Sequence, residues 1–205
     1  MKGFTSLLLH TVILLGCGFF LLSGCIGSVA PLYEYTLSPM VQQDESSRSA
    51  QAQSLMLMPV LVPSWSTDSG IVTRSSSNSI NTSATHLWAG TLQNQLAITL
   101  AENIRRLGGI KDVQIYPGPR FAKPVLLLEL EFLRFDGELG NSFTCSAIWT
   151  ISDNKQKKTI LRREFSTTVA VDRQGYRSYV KAASTAIFQL SRKIDLSLQQ
   201  IRRTP

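Results

Sequence analysis

Apolar and polar positions divide the chain into an apolar head, a polar stretch and a body of alternating strands and helices. Met1–Leu22 is almost continuously apolar after Lys2. "YEYTLSP" then alternates Tyr33, Tyr35 and Leu37, which predicts a short strand. Residues 42–54, "QQDESSRSAQAQS", are polar and rich in Ser and Gln, as a flexible loop is. Leu55–Pro63 predicts a buried or edge strand that Pro59 interrupts, and Ile71–Arg74 a second short one. "SSSNSINTSAT" reads as a loop whose Asn81–Ser83 offers cap chemistry to a following helix. That helix is expected over Ala84–Leu107, because Trp88, Leu92, Leu96, Leu100, Ile104 and Leu107 recur at threes and fours. Gly108-Gly109 ends it, and "DVQIYPGP" predicts a short strand closed by a turn.

Three longer strands follow, "PVLLLELEFLRF", "SFTCSAIWTI" and "TILRREFSTTVAV", each with period-two patterning. On the first, Leu126, Leu128, Leu130 and Phe132 share one face and Glu129 and Glu131 the other. A second helix is expected over Tyr176–Arg202, with Val180, Ala183, Ile187, Leu190, Ile194, Leu198 and Ile201 in one stripe. The sum is an α+β fold: a mainly antiparallel sheet, with room for mixed pairing, and two amphipathic helices packed on one face.

The head changes how the body is read. One basic residue, an apolar run and small residues are the order of a secretory signal. Phe4–Leu22 is about 19 residues, close to spanning length. Thr5, Ser6, His10 and Thr11 interrupt it, and no basic cluster follows, which argues against an anchor helix. Leu22-Ser23-Gly24-Cys25 resembles a bacterial lipobox, where a diacylglycerol is joined to the cysteine thiol and the signal is cut before it. "LLGC", ending at Cys17, is the weaker candidate, since cutting there leaves "GFFLL" on the product. The expected organisation is a signal at 1–24, a lipidated tether with the first strand at 25–53, and one α+β domain at 54–205. In lipoproteins similar to enterobacterial ones, the residue after the cysteine directs sorting, and Ile26 implies the outer membrane.

Composition then narrows the chemistry. Of 205 residues, 43% are hydrophobic and 17% charged, which is globular rather than disordered. The formal charge is +7, and it falls by one unit when Lys2 leaves with the signal. Cys17 also leaves and Cys25 carries lipid, so Cys145 has no disulfide partner and reads as a buried small hydrophobe. His86 then stands alone, which suits a capping or surface role better than a base. No G-x-S-x-G elbow surrounds a serine, Cys and His lack metal-ligand spacing, and no phosphate-cradling glycine loop is present. Glu129 and Glu131 suit the solvated face of a strand. The basic pairs Arg105-Arg106, Lys157-Lys158, Arg162-Arg163 and Arg202-Arg203 are scattered, unlike a nucleic-acid surface. No catalytic residue, metal or cofactor is expected, and no nucleic acid.

Several further motifs fall in a recognisable order. Tyr35-Thr36-Leu37-Ser38-Pro39 comes first, then Val62-Pro63, Trp65 and Ile71-Val72-Thr73-Arg74. Asn78, Trp88-Ala89-Gly90-Thr91-Leu92, Leu107-Gly108 and Tyr116-Pro117 follow, and "YVKAASTAIFQLSRKI" ends the series. Together they resemble the PqiC/YmbA family of transport-auxiliary lipoproteins. Two departures are visible: Ser66-Thr67-Asp68-Ser69 replaces a Leu-Asp-Arg-Pro-like run, and Gly90-Thr91 lacks the usual proline. The resemblance implies a lipid-anchored outer-membrane accessory subunit of an MCE-type intermembrane lipid transport system, on the periplasmic face. Its implied partners are a periplasm-spanning MCE-domain protein and that protein's inner-membrane partner, with outer-membrane lipid held through Cys25 and homo-oligomer formation left open. The expected partner surface is Trp65, Ile71, Val72, Thr73, Arg74 and Asn78, with an ordinary loop as the competing reading. The alternative function is an outer-membrane assembly factor or pilotin, similar to LptE-like lipoproteins.

Overall fold

The computed structural model describes residues 30–40, 54–108, 110, 112–118 and 125–203. The lipobox Leu22, Ser23, Gly24 and Cys25, with Ile26 and positions 41–53, lies outside the described residues.

Strands β1 (Tyr33–Tyr35), β3 (Gly70–Ser76) and β4 (Ser79–Trp88) form a small sheet in the order β1-β4-β3. Strands β2 (Ser54–Leu57), β5 (Asp112–Ile115), β6 (Val125–Glu138), β7 (Ser142–Asp153) and β8 (Lys158–Ala170) form a larger one, ordered β5-β2-β6-β7-β8. Both sheets are mixed. β1 runs parallel to β4 and β2 parallel to β5 and β6, whereas β6-β7-β8 is the expected antiparallel meander. Helix α1 spans Leu92–Leu107 and α2 spans Tyr176–Arg203.

β7 shows the alternation most cleanly: Phe143, Cys145, Ala147, Trp149 and Ile151 are buried while their neighbours are partly open. Residues of α1 and α2 complete this core, with Leu96, Leu100, Ile104, Ile187, Leu190, Ile194 and Leu198 fully buried. The alternation of β6 breaks at a bulge between Phe132 and Arg134. The extra residue, Leu133, is half exposed, and Phe132 and Phe135 both stay in the core. Pro59 does interrupt its strand, but pairing resumes as Leu61 donates to Leu130 O at 3.0 Å and accepts from Phe132 N at 2.8 Å. β2 is therefore interior, with parallel partners on both sides.

Two expectations need correction. α1 begins at Leu92, eight residues later than Ala84, with Thr91 as its N-cap accepting from Asn94 N. Residues 79–88, expected as loop and first helical turns, form β4, which returns antiparallel to β3. Trp88 misled because it lies four residues before Leu92 and is buried, so it mimics a helical stripe from the end of a strand. The Ser83 hydroxyl accepts from His86 N at 2.9 Å within β4 rather than capping a helix. Gly108 closes α1 as expected, in the left-handed conformation at φ 79.

Candidate functional site

The Ile71–Arg74 motif sits on β3, where the small sheet meets the larger one. Ile71, Val72 and Thr73 are buried. Their side chains therefore serve the interior, and this corrects the expectation that they form part of a partner surface. Val72 O accepts from Tyr179 Oη at 2.8 Å, which ties β3 to the first turns of α2. Tyr179 is fully buried, and burial pushes its phenol pKa up, so it stays a donor.

Arg74 turns to the exposed end of the same junction. Its Nε and one terminal nitrogen donate to the two oxygens of Asp136 at 2.9 and 2.8 Å, and Nη1 donates to Ser77 O at 2.8 Å. Arg134 donates to Asp136 from β6 itself, at 2.8 Å. The Asp136 side chain is wholly inaccessible, while Arg74 and Arg134 keep 19% and 41% of theirs exposed. Burial disfavours the ionised carboxylate, but the hydrogen bonds from Arg74 and Arg134 outweigh it and hold the Asp136 pKa below its usual value. The same bond to Asp136 raises the pKa of Arg74. Arg74 on β3 thus clasps Asp136 and joins the small sheet to the larger one, and Arg134 adds a second guanidinium from the carboxylate's own strand. Beside it lies a polar groove of about 370 Å³ lined by Ser76, Ser77, Gly137, Glu138 and Ser142 together with the two arginines. A Cβ on Gly137 would meet Ser142 O at 2.1 Å, so only glycine lets β6 and β7 approach this closely.

Trp65 lies in a short 3₁₀ turn, Ser64–Ser66, with 43% of its surface exposed. Asn78 occupies the exposed turn between β3 and β4. Of the expected partner residues, Trp65, Arg74 and Asn78 remain accessible to another molecule.

The Tyr35–Pro39 motif has its own physical role. Its backbone crosses the helix pair as a strap whose donors find side chains instead of a sheet. Leu37 N donates to Gln95 Oε1 at 2.8 Å, Ser38 N to Ser184 Oγ at 3.2 Å and Met40 N to Asn103 Oδ1 at 3.1 Å. Gln95 Nε2 also donates to Tyr35 O and Ala89 O. Asn103 reaches across to Ser191 of α2 at 3.3 Å. Gln95, Asn103 and Asp136 escaped the sequence reading. The signal that could have found them is polarity within an apolar stripe: Asn103 stands directly before Ile104 and is completely buried.

His86 is on β4, away from the start of α1 but against Tyr176, the first residue of α2. The His86 ring lies between Tyr33 and Tyr176, with centroids 4.9 and 3.9 Å away, and Nδ1 meets Tyr35 Oη at 2.8 Å. Cys145 is fully buried, and burial pushes its thiol pKa up, so it is inert. Among the described residues, no three His, Cys, Asp or Glu side chains gather as a metal site. Glu129 and Glu131 face the side of β6 away from the helices, as expected.

The profile of the family described as ABC-type transport auxiliary lipoprotein component matches residues 35–195. The chain belongs to this family. The match begins at the last residue of β1 and ends within α2, so it covers every strand from β2 to β8, all of α1 and most of α2. Among solved structures, an uncharacterized protein is 20% identical, covers 82% of this chain and 99% of its own, and superposes with a TM-score of 0.65. A Xanthomonas campestris protein of the DUF330 family is 15% identical, covers 85% and 100%, and superposes at 0.68. Both likenesses establish the shared fold. No curated protein matches significantly. Among the described residues of this transport auxiliary lipoprotein, no helix is long and apolar enough to cross a membrane.

Proposed function

We propose that this transport auxiliary lipoprotein is anchored in the outer membrane through acylated Cys25 and serves an MCE-type intermembrane lipid transport system. Its α+β domain acts as a docking or collar element for a periplasm-spanning partner. The observation that carries the reading is the family match over residues 35–195, standing directly behind a lipobox at Leu22–Cys25. Multiple acyl chains suffice for stable anchoring, since each buried CH₂ contributes about 0.8 kcal/mol. Ile26 supports outer-membrane sorting over retention in the inner membrane.

The domain itself is a binding element without catalysis. Its one described histidine is held between two aromatic rings with Nδ1 occupied by a tyrosine hydroxyl. Partner contact falls to the exposed Trp65 and Asn78 and to the part of Arg74 that its clasp leaves open; Arg74 lies on β3, Asn78 in the turn after it and Trp65 in the 3₁₀ turn before it. Exposed aromatic and arginine side chains are the types that anchor protein interfaces.

A photo-crosslinker placed at Trp65 in the full-length protein, followed by mass spectrometry of crosslinked envelopes, tests the reading. An MCE-domain protein in the adduct is the expected result. An adduct with an outer-membrane β-barrel instead transfers the chain to the assembly-factor reading.

A further inference from the structure

The exposed apolar residues that come first in the described chain adjoin an aromatic stack. Leu32 and Tyr33 are 63% and 49% exposed. The Tyr33 ring is no free rotor, because it lies against His86 with an interplanar angle of 11°. His86 is stacked in turn on Tyr176 at 13°, and Tyr35 fixes the imidazole through its hydroxyl. Three elements, β1, β4 and α2, therefore hold one protruding tyrosine in place beside an exposed leucine. Arg177, exposed on the first turn of α2, directly follows the stacked Tyr176 and so adds a cation at this end. Glu34 is the nearest acidic residue in sequence and is also exposed.

A tyrosine fixed beside a leucine, with arginine adjacent, is the composition that settles at the lipid–water boundary. The ring body is apolar, the hydroxyl stays hydrated, and the cation meets phosphate. Chain length supplies a second constraint. The seven peptide units between Cys25 and Leu32 span at most roughly 25 Å when fully extended. Leu32 therefore stays within that reach of an anchored Cys25. Other exposed apolar residues, such as Ile98 on α1 and Leu196 on α2, are far along the sequence from the anchor.

We propose that the Leu32–Tyr33 end, backed by the His86–Tyr176 stack, rests on the surface of the bilayer that carries the anchor and so fixes the domain's orientation to the membrane. The occupant is the lipid headgroup region. This rests on the acylation of Cys25 proposed above.

The test uses the full-length chain, processed in cells, purified and reconstituted in vesicles of phosphatidylethanolamine and phosphatidylglycerol. A nitroxide is attached at Leu32→Cys, with Ile98→Cys as the aqueous control; the buried Cys145 stays unlabelled. Collision rates with oxygen and with a water-soluble nickel chelate are compared. The expected ratio of oxygen to nickel collisions at position 32 is several-fold above that at position 98, and Tyr33→Ser in the Leu32→Cys background lowers it. Equal ratios at the two positions overturn the proposal. The intact mass of the same sample separates the two failures. Equal ratios with the acyl chains present remove only the membrane-facing surface, whereas a sample without acyl chains removes the anchor reading and this surface with it. Nickel protection at position 32 that is present in native envelopes but absent in vesicles also overturns the proposal, because a protein then covers the patch.

Discussion

The two sheets are stabilised by different means. The larger one is held by area: β6 and β7 bury an alternating apolar face under two helices, and almost any of these contacts could be weakened without redirecting the strands. The small sheet shares that core through Ile71 and Trp88, but directional contacts orient it. It depends on the Arg74–Asp136 clasp, the Tyr179 hydroxyl on Val72, and Gln95 on Tyr35 and Leu37. Directional contacts set orientation, and this sheet with its β3–β4 turn presents Arg74 and Asn78, two of the three accessible members of the expected partner surface. The difference assigns the core to stability and the clasp to where the β3–β4 hairpin points.

Substitutions can break this contrast, beginning with the largest effect. Phe143→Ala removes a fully buried ring from the larger sheet and is expected to cost about 4 kcal/mol in denaturant unfolding, with both sheets lost together. Arg74→Met deprives a buried carboxylate of its bidentate partner and should cost about 3 kcal/mol at neutral pH. Its pH dependence sharpens the point. The folded pKa of Asp136 is depressed, so the stabilisation it contributes is present above the usual carboxylate value, about 3.9, and is lost as pH falls through the folded pKa. The difference between Arg74→Met and the parent should therefore shrink when the same unfolding curves are repeated in acid. Gln95→Leu leaves the Leu37 donor and two carbonyls without their side-chain partner and should cost about 2 kcal/mol. Faster hydrogen exchange at Leu37, with the amides of β7 unaffected, would localise that loss. Trp65→Ala should change stability by less than about 0.5 kcal/mol while reducing partner recovery from envelopes; a large loss of stability would show that the residue serves the fold instead.

The sequence made the larger sheet legible and the small one less so, for a physical reason. Phe143 to Ile151 and Val180 to Leu198 obey the periods of their elements because each buries one continuous face. β4 has no such face over Ser79–Thr82, where every residue is exposed, and its Ser and Asn residues carry little strand preference. Pairing with β3 makes it a strand, and pairing partners are not written locally. Mixed pairing was allowed for, but which strands run parallel was hidden for the same reason, since nothing in Ser54–Leu57 specifies parallel neighbours. At the site, the motif around Ile71–Arg74 was visible but its meaning was inverted. Three of its four residues face inward, and the fourth is engaged with Asp136, a residue that no motif singled out.

The strap has a mechanical consequence. A domain suspended from its N-terminus takes any pull first on the three residues of β1, which are too few to resist for long. The load then passes at Leu37, Ser38 and Met40 to side chains rooted in both helices, and through them to the interior of the molecule. In the role proposed above, tension between membrane and partner would be carried by the helix pair, and the β3–β4 hairpin would keep its aim.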